Sequence, residues 1–270
     1  MTTLDVPTAQ TPLAPVTEVL AIAGRRLRRL RRNPGRLVGI TLNPLITMIA
    51  LGYLFSNAIE IPGSTNYIEF IFAGVVMQVG LASIGPTAIA VALDVQGGLV
   101  DRFRSLPISR SAVLIGHTIA DLAISLIGLA VVTAFGLLFG WRSHTGFLPT
   151  LAGFALVAVF IFTVLWVGVL LGMASRNLET IESVGGLVAV VFSFMSTGFL
   201  SVEKLPGWIQ PIAQWNPVSS VIAACRELWG NPVADSGGFP AENPSTVILV
   251  SLGTLFVVTS YLSVRRYRNA

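Results

Sequence analysis

Apolar runs about twenty residues long, separated by short polar stretches, set the pattern of this chain. Six runs stand out, at 37–56, 68–93, 112–139, 148–173, 184–200 and 247–264. A helix needs about 20 mostly apolar residues to cross a bilayer, so each run predicts a transmembrane helix, with the fifth and sixth at the short end. Pro44 and Pro86 fall inside the first two runs. Prolines are tolerated in bilayer helices because neighbouring helices satisfy the freed backbone groups. The expected fold class is an all-α membrane protein with six transmembrane helices.

The polar stretches divide further. Residues 1–15 are polar and proline-rich and predict a disordered N-terminal tail. At 100° per residue over 16–35, Val16, Val19, Leu20, Ala23, Leu27 and Leu30 share one arc, and six arginines between Arg25 and Arg32 fill the rest. That is the pattern of an amphipathic interfacial helix, apolar stripe in the membrane and arginines toward anionic headgroups. A solvated basic tail is the alternative. A secretory signal fits poorly, because the following apolar run is too long and carries no small-residue cleavage site. The transmembrane domain then occupies 36–270.

Two connections have their own character. Segment 201–245 is long and largely apolar, and such a loop does not float in water. Within it, Val218, Val221, Ile222, Cys225 and Trp229 fall near one face of a short amphipathic helix. The expectation is a re-entrant helical hairpin between helices five and six, broken near Asn216–Pro217; an external cap on the helix tops is the alternative. Segment 94–110 reads DVQGGLVDRFRSLPISR. Gly97–Gly98 ends the second helix, Leu99, Phe103 and Leu106 face inward on a short helix, Asp101, Arg102 and Arg104 face outward, and Pro107 stops it. A short, rigid, charged helix of this kind suits the transmission of a push from a soluble partner.

Composition agrees with the pattern. Apolar types make up 53% and charged types 11% of 270 residues, against about 25% charged in soluble domains. A pI near 9.8 raises nucleic-acid binding, but the arginines cluster at the chain ends and in one loop, as topology signals do. With six crossings, 14 of the 17 Lys and Arg residues fall on the side of the N-terminus. Basic residues mark the cytoplasmic side, so both termini are expected in the cytoplasm. The single Cys225 excludes an internal disulfide framework.

Several chemistries are excluded by absence. Lys204 is the one lysine, in Val-Glu-Lys-Leu-Pro, so no G-x-x-x-x-G-K-[ST] phosphate loop exists. His117 and His144 are the two histidines, and no Cys/His cluster or H-E-x-x-H is present, so no metal site is expected. No G-x-S-x-G occurs, and Asp121, well inside a run, has no partner Asp in another. No cofactor and no catalytic residue are therefore expected in this chain. Polar groups inside spans are functional candidates. Gln78 in the second run either meets a substrate or bonds to a neighbouring helix. His117 and Asp121, at i and i+4 of the third, form either a proton relay or a structural pair. Glu182 anchors near the start of the fifth. Phe192, Phe194 and Met195 line a greasy substrate path or simply pack.

At these residues the chain resembles permease subunits of type 2 ABC exporters, particularly the daunorubicin/doxorubicin-resistance permease family. Segment 98–110 is similar to that family's cytoplasmic coupling segment, and the basic helix before the first run to its connecting helix. Leu205-Pro206-Gly207-Trp208-Ile209-Gln210, followed by Trp215-Asn216-Pro217-Val218, is similar to its external re-entrant region, and Arg226 stands where such proteins commonly carry an arginine. The similarity runs from about residue 17 to 268. Gln96–Gly97 departs from the acidic residue or lysine that often precedes the coupling glycine.

The resemblance implies a half-transporter. Two permease copies, alike or sisters, pair over two copies of a separate ATPase subunit that binds ATP and magnesium. ATP binding pushes the coupling helices and opens a cavity outward for a hydrophobic or amphipathic drug-like compound. Asp101, Arg102, Phe103, Arg104, Arg110 and Glu18 are the expected coupling residues. Gln78, Phe192, Phe194 and Met195 are the expected substrate path, and Trp208, Asn216, Pro217 and Arg226 the re-entrant region. The same machinery exporting a lipid, glycolipid or polysaccharide precursor is the rival within transport. A non-transporting membrane anchor for a cytoplasmic partner is the rival outside it. An ion channel is disfavoured because no span carries a ring-forming set of charges. A secondary transporter is disfavoured because the two halves show no repeat.

Overall fold

The computed structural model describes residues 35–54, 67–97, 110–175, 177–233 and 239–269. Among these, all regular structure is helical. In chain order the helices are α1 (Gly35–Leu54), α2 (Tyr67–Ala82), α3 (Ile84–Gln96), α4 (Arg110–Leu138), α5 (Phe147–Ala174) and α6 (Leu178–Phe194). A 3-10 turn at Val202–Lys204 precedes α7 (Gln210–Trp215), α8 (Pro217–Trp229), α9 (Phe239–Glu242) and α10 (Pro244–Asn269). Among the described residues, five stretches are long and apolar enough to cross a membrane: Gly35–Leu54, Tyr67–Gln96, Leu114–Leu138, Phe147–Ala174 and Pro244–Tyr267.

The predicted interfacial helix at 16–35, apart from Gly35, and the heart of segment 94–110 lie outside the described residues.

Burial follows sequence pattern. From Tyr67 to Leu81, α2 is buried on every side except at Ile68, as a helix apolar all round should be. It is flanked by α1, α4, α5, α6 and α8, and α5 in turn contacts α3, α4, α8 and α10. By contrast α1 buries one stripe (Ile40, Pro44, Met48) and exposes Val38, Leu42, Ile46 and Ile49.

Run two is one stretch with a joint at Ser83, three residues before the proline. Pro86 has no N–H to give the Ala82 carbonyl. The chain takes a tighter step there, Ser83 N donating to Gly80 O at 3.0 Å, and Ser83 Oγ donates to Val79 O at 2.8 Å. Pro86 then sits in the first turn of α3, where an N–H is not needed.

Run five is displaced from its expected place at 184–200: the helix is Leu178–Phe194. Capping rather than hydropathy sets both ends. Asn177 Oδ1 accepts from Glu179 N at 2.9 Å and Thr180 N at 3.3 Å, which starts the helix six residues early. At the other end Asn216 Nδ2 donates to Phe192 O at 3.0 Å and Met195 O at 2.9 Å, closing it before residues 195–200. Those six residues carry on as buried, non-helical chain through Ser196, Thr197, Gly198 and Phe199.

Segment 201–245 forms α7, α8 and α9. The helical break falls at Asn216, whose Oδ1 accepts from Val218 N at 3.0 Å, with Pro217 at the first helical position. The expected apolar face of α8 is buried: Val218, Val221, Ile222, Cys225 and Trp229.

Candidate functional site

Two polar clusters mark the ends of the bundle. The basal end carries the start of α1, the end of α3, the start of α4 and the end of α10, whose Tyr267 packs with Val91, Leu114, Trp166 and Val169. The distal end carries the start of α2, the α4–α5 connection and α8.

At the basal end Arg36, in the first turn of α1, lies 2.9 Å from Asp121 of α4, whose side chain is fully buried. Arg36 Nη2 also donates to Thr87 Oγ1 of α3 at 3.2 Å. His117 Nε2 of α4 sits 3.1 Å from Asp94 Oδ2 of α3. The i, i+4 pair read from sequence is thus on one face, but each member pairs with a different helix. Three contacts bind α1, α3 and α4 where the chain enters and leaves segment 98–109.

Of the expected coupling residues, Asp101, Arg102, Phe103, Arg104 and Glu18 lie outside the described residues. Arg110 is the first residue of α4.

At the distal end Arg226 of α8 is 1% exposed. Its Nε and Nη2 donate to Phe70 O at 3.0 and 2.7 Å, Nη2 reaches Gly198 O at 3.0 Å, and the guanidinium lies 3.7 Å from the centre of the Phe70 ring. One side chain so clamps α2, α8 and the segment after α6. Tyr67 adds a hydroxyl bond to Phe199 O at 3.0 Å. Phe72, Trp141, Phe154 and Trp229 form an aromatic cluster, with Phe72 and Trp141 stacked at 4.1 Å. Trp141 Nε1 donates to Asn231 Oδ1 at 2.8 Å, and His144 Nε2 meets Glu69 Oε1 at 3.0 Å. Trp208 is 70% exposed; Asn216 and Pro217 form the break described above.

The four residues expected along the substrate path do not converge. Gln78 is buried and donates through Nε2 to Ser193 Oγ of α6 at 3.0 Å, which is the neighbouring-helix alternative. Phe192 and Phe194 are exposed and Met195 is half-buried. Glu182 is exposed.

Sequence reasoning missed Arg36 and Asp94. Arg36 was counted with the topology arginines, although a lone cation opening one apolar run and a lone carboxylate inside another tend to pair.

The chain matches the family model described as ABC-2 type transporter over residues 17–228. It is 32% identical, over 94% of its length and 87% of the relative's, to the daunorubicin resistance ABC transporter permease protein DrrB1 of Streptomyces coeruleorubidus. Identity is 26% to the probable doxorubicin resistance ABC transporter permease protein DrrC of Mycobacterium tuberculosis, covering 94% of this chain and 90% of that one. A putative transport permease of Porphyra purpurea, ycf38, is 25% identical over 80% and 75%.

Proposed function

Because this chain belongs to the ABC-2 type transporter family, we propose that it is the membrane-spanning permease of an ATP-driven exporter for hydrophobic or amphipathic drug-like compounds. The observation that carries this reading is likeness along 94% of the chain to a daunorubicin resistance permease, on a framework of five apolar helices long enough to span.

In this reading α6 makes a sixth crossing. Its 17 residues give about 25 Å at 1.5 Å per residue, a few ångströms short of a hydrocarbon core of about 30 Å. The buried stretch 195–200 completes the passage. Non-helical backbone is tolerated at that depth where protein covers it, and α8 supplies the cover. α7 and α8 then form the re-entrant hairpin on the outer side. The basal end faces the cytoplasm with both termini.

Two permease copies, identical or sister, stand over two ATPase subunits that hold ATP and magnesium. Segment 94–110 transmits the push, through Asp101, Arg102, Phe103, Arg104 and Arg110, with Glu18 of the preceding helix in support. Gln78, Phe192, Phe194 and Met195 serve the cargo path only after α6 moves from α2, since Gln78 is closed off as it stands.

The test is co-expression with the ATPase encoded beside the gene, purification in lipid nanodiscs, and ATP hydrolysis measured with daunorubicin, doxorubicin and a set of lipids. A stable complex whose hydrolysis responds to the drugs supports drug export. A response to lipids alone moves the assignment to lipid or glycolipid export. Failure of any ATPase to co-purify contradicts the reading and favours a membrane anchor.

A further inference from the structure

Two helical arms flank segment 98–109 in the sequence, α3 ending at Gln96 and α4 beginning at Arg110. The arms are pinned together near the segment by Asp94 and His117, 3.1 Å apart. One turn further along the same face of α4, Asp121 takes Arg36 at 2.9 Å, and Arg36 also donates to Thr87 of α3 at 3.2 Å. The first turn of α1 is therefore tied to both arms by one guanidinium.

The strength of the tie is unequal to the packing around it. Asp121 is fully buried and Arg36 mostly so, and pulling such a pair apart away from water is costly. The outward face of α1 shows Val38, Leu42, Ile46 and Ile49 with none of the described helices upon them. α1 is thus held hard on one side at its base and is bounded by apolar surface on the other. A displacement of the arms drags α1 more readily than it breaks the pair.

We propose that Arg36, Thr87, Asp94, His117 and Asp121 form a polar linkage that makes the basal ends of α1, α3 and α4 move as one body during transport. The linkage rests on the exporter reading above. All five are positioning residues: none touches ATP or cargo, and they act by making α1, α3 and α4 move as one body.

The readout is doxorubicin transported per ATP hydrolysed, measured in proteoliposomes holding the permease with its ATPase. Asp121→Asn is expected to lower this ratio about ten-fold, and Thr87→Val, which strands no charge, about three-fold, both within the range over which residues along a coupling route act. Exchanging the charges, Arg36→Asp with Asp121→Arg, is expected to recover most of the loss. A purely structural role predicts lower yield and melting temperature with the ratio per ATP unmoved, and that result overturns the proposal. Should Asp121→Asn fail to assemble, the proposal stands or falls on Thr87→Val: a ratio equal to wild type overturns it. Wild type that hydrolyses ATP but transports nothing overturns the exporter reading, and the linkage with it, and is distinguished because the failure appears without any substitution.

Discussion

Buried arginines ordinarily face carboxylates, because an unpaired charge is costly to take out of water. Arg226 directs its donors to the carbonyls of Phe70 and Gly198 and lies over the Phe70 ring. The planar fork is what allows one side chain to hold two carbonyls and an aromatic face at once. Arg226→Lys keeps the charge but cannot span these groups. It is expected to cost about 2–4 kcal/mol, near the range for breaking a buried charged contact, read as a lower melting temperature in detergent; an unchanged melting temperature contradicts the clamp. Arg226, Asn216, Gln78, His117 and Asp121 all stand out in the sequence as polar groups in apolar surroundings. Their partners do not. Phe70 lies 156 residues from Arg226 and Ser193 lies 115 from Gln78, and no local pattern encodes such pairings.

At the scale of elements, hydropathy located the long helices well, because a helix hidden from water on all sides needs little more than length and apolar content. α4 and α5 begin and end within two residues of their predicted runs. It failed for α6, whose ends are set by the side-chain amides of Asn177 and Asn216. Apolar residues 195–200 count toward a helix in any window, yet their backbone follows Asn216, Ser196 and Ser219 instead: Thr197 N donates to Ser219 Oγ at 3.1 Å. Close approach sets the same joint from the other side. A methyl group added at Gly74 would lie 2.8 Å from Gly198 Cα, whereas one at Gly39 meets nothing within 4 Å. Gly74→Ala should therefore push the segment after α6 off α2 and lower stability by about 1–3 kcal/mol, as overpacking does. Gly39→Ala on the outward face should change the melting temperature little. Equal effects at the two positions, measured side by side in detergent, contradict the contact.

At the scale of the whole molecule, the described residues place Arg36, with the Tyr267 end of α10, at the basal end of the bundle, and Arg142 and Arg226 at the distal end with Trp141, Trp229 and Asn231. The family was legible because LPGW and WNPV stand out in a chain built mostly of apolar runs. The expected cargo path was not legible as a site. Gln78 is closed against Ser193, while Phe192 and Phe194 face outward, so a path between them requires movement or a second copy, neither of which one chain's sequence describes. Family membership makes dependence on a separate ATPase the central claim. The direct measurement is doxorubicin accumulation in inside-out vesicles from cells expressing this permease with its partner ATPase, active or disabled in hydrolysis. The account predicts ATP-dependent accumulation with the active ATPase and none with the disabled one. Equal accumulation with both would contradict it.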